Sequence, residues 1–106
     1  MDLHRIENFT GGWFAGNFSP TLLKTEHFET CVKWFAMGDS EPSHFQVTAT
    51  EITVVIEGRC LIGSVELVKG DIAVIHPGEV ADFVALSDGA LVALKSPSLP
   101  TDKVLA

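Results

Sequence analysis

Three side chains with reactive groups lie close together near the middle of the 106-residue sequence: His44, Gln46 and Glu51. His44 and Gln46 are two positions apart, so on a strand they project from the same face. An imidazole can accept a proton or bind a metal ion, and a carboxylate can orient the imidazole, carry a proton or bind the same ion. We therefore predict His44 and Glu51 as catalytic residues, with the amide of Gln46 beside them.

The elements that must position these side chains are strands. Apolar residues recur with period two along most of the chain, and Gly, Pro, Asn, Asp and Ser interrupt them regularly, which is typical of an all-β sandwich or barrel. The predicted strands cover residues 13–18, 27–37, 44–47, 51–57, 59–62, 65–68, 71–75, 80–86 and 89–95. One helical turn is predicted at 19–24, where Ser19 could cap and Pro20 suits the first helical position.

The segment 51–57 predicts an inner and an outer face for the barrel. One face shows Glu51, Thr53, Val55 and Glu57, and the other shows Ile52, Val54 and Ile56. A wholly aliphatic outer face must be covered, either by the amino-terminal arm or by a second subunit. We therefore expect a homodimer.

The segment 27–37 is the expected source of an aromatic side chain in the cavity. Alternation places Phe28, Val32 and Trp34 on one face, with Cys31 and Lys33 on the other. We predict that the aromatic face turns inward, so that Trp34 lines the cavity.

The polar residues and the glycines around them have a defined spacing. Gly38, His44, Gln46, Glu51 and Gly58 are separated by five, one, four and six residues. This series resembles the first motif of the cupin superfamily, which reads Gly, five residues, His-x-His, three or four residues, Glu, six residues, Gly. Only the second His departs, because Gln46 stands in its place.

A second cupin motif reads Gly, five residues, Pro-x-Gly, two residues, His, three residues, Asn. It aligns with Gly70, His76, Gly78, Ala81 and Ala85. Both glycines of the motif are present, and its proline is displaced by one position to Pro77. The histidine and the asparagine of the motif are absent, because Ala81 and Ala85 stand in their places. The segments 12–18 and 95–103 look like the ends of a group of small, functionally uncharacterised single-domain cupins.

The resemblance implies a jelly-roll β-barrel, frequently dimeric, with a divalent metal such as Mn, Fe, Ni or Zn held inside. By position, His44 and Glu51 match ligands of that metal, Gln46 replaces one histidine and offers a neutral amide oxygen, and Ala81 replaces the other histidine. Any metal should therefore bind weakly unless another side chain contributes. The candidates for that contribution are His76, Glu79 and Asp82, although strand parity turns Asp82 outward. The alternative is a polar pocket that holds no metal.

The leading interpretation is a cupin that binds a small polar or sugar-like metabolite, with isomerase, lyase or oxygenase-type chemistry as a further hypothesis. The expected ligand-binding residues are Trp34, Gln46, His76, Glu79 and Phe83. The chain has no tyrosine, and so lacks the phenolic acid that the resembling sugar-epimerase cupins use beside a histidine base. The alternative is a non-catalytic ligand-binding or interaction module with a degenerate metal site.

Composition limits the partners. Seven Lys and Arg against 14 Asp and Glu give a formal charge of −7, the wrong sign for nucleic acid or an anionic membrane. No apolar stretch has the length of a signal peptide or a membrane span, so we expect a cytoplasmic protein. Cys31 and Cys60 are predicted to be free thiols. We expect one cupin domain over 1–106, with a core barrel at about 27–95, an amino-terminal arm at 1–26 and a carboxy-terminal tail at 96–106.

Overall fold

A computed structural model describes residues 1–106. Ten strands form two antiparallel sheets of five, with the orders β1-β2-β9-β4-β7 and β10-β3-β8-β5-β6. The strands are β1 (Trp13–Ala15), β2 (Glu29–Phe35), β3 (Ser40–Gln46), β4 (Thr50–Glu57), β5 (Arg59–Ile62), β6 (Val65–Val68), β7 (Ile72–Ile75), β8 (Ala81–Ala85), β9 (Gly89–Ser96) and β10 (Lys103–Leu105). Two short 3₁₀ turns, Ile6–Asn8 and Thr10–Gly12, precede them. The structure contains no helix with the length and apolar character that crossing a bilayer would require.

The predicted all-β architecture is confirmed, but some strand bounds differ: β1 ends at Ala15 and not at 18, β2 covers Glu29–Phe35 and not 27–37, and β3 begins at Ser40 and not at 44. The helical turn expected at 19–24 does not form. The backbone there is bonded to the start of the sheet instead: the Leu22 N–H donates to the Phe14 carbonyl at 2.8 Å, and the Gly16 N–H donates to the Leu23 carbonyl at 3.1 Å. These tertiary hydrogen bonds take the groups that a helix would use, so they outweigh the local helix signal.

The arm 1–26 and the tail 96–106 each contribute an edge strand. β1 pairs with β2, and β10 pairs with β3 so that Lys103, Val104 and Leu105 lie opposite Gln46, Phe45 and His44. β10 was not predicted because three exposed residues have no measurable periodicity. The tail therefore lies directly beside the strand that carries His44 and Gln46.

The hydrophobic core fills one end of the space between the sheets. It includes Phe35 and Val55 from the first sheet and Cys60, Leu67 and Ala85 from the second. Phe35 and Phe83 pack edge to face, with ring centroids 5.4 Å apart. This packing closes one end of the barrel and leaves space for a cavity next to it.

One motif glycine is required by a close backbone approach. Gly58, between β4 and β5, has φ +80°, and a Cβ atom there would lie 2.2 Å from the Asp88 carbonyl oxygen. Only glycine fits both the conformation and the contact. Gly58 therefore allows the chain to leave β4, which carries Glu51, and cross to the opposite sheet.

The face prediction for β4 is correct except at Glu57, which is exposed after an irregularity in the strand pairing, and the prediction for β2 is wrong. Thr53 and Val55 are buried, whereas Ile52 is 37% and Ile56 is 44% exposed on the outer face. In β2 the buried residues are Cys31 and Phe35, and Trp34 is 64% exposed on the outside. Alternation predicted the two faces of β2, but it did not determine which face the other sheet covers.

Candidate functional site

A cavity of about 190 Å³ lies between the sheets next to the packed core, and Cys31, Phe83, Leu91 and Ala93 belong to both. Its polar lining consists of Lys33, Glu41, His44, Gln46, Glu51, Thr53, Glu79 and Asp82, and its larger apolar lining residues are Trp13, Phe45, Ile62, Ile75, Phe83 and Leu91. At roughly 30 Å³ per water, the volume corresponds to about six waters. The cavity can therefore hold a small organic molecule.

His44 has one ring nitrogen fixed and the other free. It lies on β3, opposite Ala81 of β8, just after an irregularity in the strand pairing. Its Nδ1 lies 2.8 Å from the Pro42 carbonyl oxygen. Because a carbonyl can only accept, Nδ1 carries the proton in this contact and Nε2 is left as the acceptor.

Gln46 places a hydrogen-bond donor in the cavity wall without a partner. The residue is 4% exposed, and its side-chain Nε2 makes no hydrogen bond. The backbone of Gln46 is firmly held, because the Gly78 N–H donates to its carbonyl at 2.8 Å. A buried donor without an acceptor costs about 1–3 kcal/mol, so a molecule in the cavity that supplies an acceptor would recover this cost.

Glu51 reaches the cavity from the opposite sheet. It lies on β4 beside Lys95 of β9. Burial raises the pKa of the Glu51 carboxyl, and the charges of Lys95, His44 and Lys103 oppose that rise only in part. Glu51 is therefore more readily protonated than an ordinary glutamate.

An ion pair that was not predicted from the sequence connects the two sheets. Lys33 of β2 donates to Glu41 of β3, and its Nζ lies 5.4 Å from the centre of the Phe83 ring. Burial alone would raise the pKa of Glu41, but the Lys33 ammonium outweighs it and holds that pKa below the usual value. The sequence shows only that Lys33 lies on the same face of β2 as Cys31. Because the prediction placed the opposite face, with Trp34, in the interior, the ion pair was missed.

The cavity includes some of the expected ligand-binding residues and excludes others. Phe83 and Glu79 line it, and Asp82 also contributes to the lining. Trp34 and His76 do not reach it: Trp34 lies outside the first sheet, and His76 is exposed in the turn after β7. The Glu79 carboxylate accepts the backbone N–H of His76 at 3.0 Å and closes that turn.

Both cysteines are free, as predicted, and both are buried. Cys31 lines the cavity. Burial raises the pKa of its thiol to about 11. Cys31 is therefore a protonated thiol near neutral pH rather than a nucleophile.

The donor set does not fit the metal centre that the sequence resemblance implies. No three His, Cys, Asp or Glu side chains come together as they would around a metal ion. Ala81, opposite His44, has no donor atom that could replace the missing histidine ligand. His44 and Glu51 remain as conventional ligands, with the amide of Gln46 beside them.

Comparisons with known proteins identify the fold. No protein-family model matches the sequence, and no curated protein matches it. An uncharacterised conserved protein with a double-stranded β-helix domain from Klebsiella pneumoniae subsp. pneumoniae MGH 78578 superimposes with a TM-score of 0.73 at 20% identity, over 98% of this chain and 90% of that one. An RmlC-like cupin from Shewanella frigidimarina NCIMB 400 has a TM-score of 0.64 at 21% identity, over 72% of this chain and 71% of the other.

An enzyme of the same fold is also similar. Oxalate oxidase in complex with the substrate analogue glycolate has a TM-score of 0.67 at 22% identity, over 76% of this chain and 46% of the oxidase. The chain thus has a cupin-type double-stranded β-helix, as the sequence predicted. At these identities the likeness defines the fold alone, so the function must be argued from the cavity.

Proposed function

We propose that this protein binds a small polar metabolite in the cavity between its two sheets and holds it without a metal ion. The observation that carries the proposal is the buried Nε2 of Gln46, a residue that lines the cavity, because this nitrogen donates to nothing. Buried polar groups in folded proteins nearly always have partners. A bound molecule with an acceptor oxygen would supply this one.

The residues around Gln46 support proton transfer as the chemistry. The Nε2 of His44 can accept a proton, because the bond from Nδ1 to Pro42 selects that tautomer. Gln46 would donate to an oxygen of the bound molecule and orient it, and a protonated Glu51 could return a proton. Isomerisation or elimination next to a carbonyl group is the reaction class that these groups suit.

The first test uses the fact that Gln46 is the only glutamine in the sequence. Its side-chain amide gives a single identifiable pair of signals in a ¹H–¹⁵N NMR spectrum, and the exposed Asn8 provides an internal control. A panel of small alcohols, amides, acids, amines and sugars is added to the labelled protein. We expect some members to move the Gln46 signals but not those of Asn8, and to raise the melting temperature of the wild-type protein.

Gln46→Met is the matched variant, because it keeps the length of the side chain and removes the donor. It should lose the stabilisation by these compounds while folding normally. If no member of the panel moves the Gln46 signals, the proposed binding function is wrong.

Two further measurements separate the alternatives. Elemental analysis of protein purified without a chelator or a histidine tag tests for a resident metal, and near-stoichiometric Mn, Fe, Ni or Zn that His44→Ala abolishes would replace this proposal with a metal-assisted one. Compounds that bind can then be followed for hydrogen–deuterium exchange at carbon in D₂O. Exchange that His44→Ala abolishes supports an enzyme, and binding without exchange supports the non-catalytic module.

We also propose that the protein is a homodimer through the outer face of its first sheet. The outward side chains of that sheet are Val32, Trp34, Ile52, Val54, Ile56, Ile72, Val74, Val92 and Leu94. None of them is charged, and Trp34, Ile72 and Val74 are 64%, 62% and 48% exposed. An apolar area spanning four adjacent strands is typical of a protein interface.

A further inference from the structure

We propose that the molecule held in the cavity is a compact organic acid, with its carboxylate accepting hydrogen bonds from Gln46 and Lys33. This inference rests on the proposed binding function and narrows it to one chemical class. It is argued from the donors in the cavity wall, from the charges of the acidic residues and from the apolar remainder of the lining.

Two side chains in the cavity wall have hydrogen-bond donors that are not used. The Nε2 of Gln46 carries two hydrogens and donates to nothing. The ammonium of Lys33 has three hydrogens, and its one hydrogen bond is to Glu41. Both residues line the same cavity, and a carboxylate, with two oxygens and about four acceptor positions, can use several donors at once.

Three of the four carboxyl groups in the wall, those of Glu41, Glu51 and Glu79, already have a hydrogen-bond partner or a nearby positive charge, and only Asp82 has neither. Glu41 is paired with Lys33. Glu51 lies beside Lys95 in the sheet and also experiences the charge of Lys103. Glu79 accepts a backbone N–H in its own turn, so these groups are not a free acidic cluster waiting for a cationic ligand.

The apolar part of the cavity lining indicates what the rest of the ligand is like. Beyond the polar groups, the larger side chains of the lining are apolar: Trp13, Phe45, Ile62, Ile75, Phe83 and Leu91. These side chains favour an apolar body attached to the carboxylate. The volume of about 190 Å³ limits that body to the size of a single ring or a short branched chain.

The experiment compares three probes of the same shape: benzoate, benzamide and benzylamine, which carry a negative, a neutral and a positive group on one ring. Each is titrated at about pH 7.5 into the labelled protein, and the dissociation constant is read from the Gln46 side-chain signals. We expect benzoate to move those signals and to bind about tenfold tighter than benzamide, because hydrogen bonds to a charged acceptor are the stronger ones. Benzylamine should bind most weakly.

A charge-removing pair of substitutions tests the role of Lys33. Lys33→Gln combined with Glu41→Gln removes both charges together, so neither residue is left as an unpaired ion. The preference for benzoate over benzamide should then fall to about twofold or less. The matched control is Lys69→Gln with Glu57→Gln, an exposed ion pair whose charged atoms lie 3.0 Å apart, and it should leave the preference unchanged.

The two proposals fail in different ways. If benzamide or benzylamine binds as tightly as benzoate, or if only alcohols and sugars of the panel move the Gln46 signals, the inference of an organic acid is overturned and the binding function stands. If the charge-removing pair keeps the full preference for benzoate, the assignment of Lys33 is overturned. A Gln46 signal that no compound moves overturns the binding function itself.

Discussion

Glu51 carries a carboxyl group in a position that disfavours its charge. Burial raises its pKa, and the neighbouring Lys95 and His44 only partly offset that rise. The same residue aligns with a metal ligand in the resembling motif, and here its burial makes the charged carboxylate less favourable than at an exposed position. The chemistry of this residue is therefore set by its surroundings and not by its place in the motif.

We expect Glu51→Gln to stabilise the protein near neutral pH. A carboxyl with a raised pKa binds more protons when folded than when unfolded, so the wild-type protein loses stability as the pH rises from the unfolded pKa of about 4.3 through the folded value. The variant has no such loss. Its melting temperature should exceed that of wild type at about pH 8, and the difference should shrink toward about pH 4.

The control for this prediction is Glu26→Gln at an exposed position, which should show no comparable gain at high pH. Melting curves across the pH range provide the measurement. A Glu51→Gln variant that is less stable than wild type at about pH 8 would mean that the charged carboxylate makes favourable contacts in the folded protein.

At the scale of the element, β3 carries both His44 and Gln46 and depends on the tail for its position. β10 pairs with it along one side. The buried Asp102 accepts the backbone N–H groups of Thr48 and Ala49 at 2.9 and 2.8 Å. These bonds hold the short connection between β3 and β4, so Asp102 determines how Gln46 and Glu51 approach each other.

Asp102→Ala should destabilise the protein by about 2–4 kcal/mol, because two backbone donors lose a charged acceptor. Asp102→Asn, which keeps one acceptor oxygen, should cost about half as much. Urea unfolding measures both, and amide exchange at Thr48 and Ala49 should accelerate. Asp71→Asn is the control, because the exposed Asp71 accepts a single N–H, that of Val68, at 2.9 Å. If it costs as much as Asp102→Asn, the tail has no special role in holding the connection.

The β strands also show where sequence reasoning reached its limit. The period of two in β4 predicted the correct inner and outer faces, because its two faces differ in polarity. In β2 both faces carry large apolar residues, so alternation could not decide which face is inside. The ion pair between Lys33 and Glu41 was missed for the same reason, since it requires that face to turn inward.

At the scale of the whole molecule, the main unexplained surface is the apolar outer face of the first sheet. It includes Ile72 and Val74 on the edge strand β7, which are 62% and 48% exposed. Edge strands with apolar side chains pair or aggregate unless they are covered. A second copy of the chain would cover this face and the edge beside it.

If the proposed dimer forms, the double substitution Ile72→Lys and Val74→Lys should convert it into a monomer, because it places two charges in the apolar contact. Analytical ultracentrifugation of wild type and variant provides the measurement. Val65→Lys is the matched control: Val65 is 63% exposed on β6, in the opposite sheet, and its substitution should leave the dimer intact. A wild-type protein that sediments as a monomer would contradict the interface.

The barrel, most of its strands and three polar residues of its cavity could be predicted from the sequence, because strand alternation and the spacing of the motif glycines are local properties. Three features required the folded chain: the face of β2 that turns inward, the pairing of the tail with β3, and the ion pair of Lys33 with Glu41 across the sheets. Folding also leaves Gln46 with an unused donor and raises the pKa of Glu51. Burial and the charges of distant residues control these properties, and neither can be read from neighbouring positions in the chain.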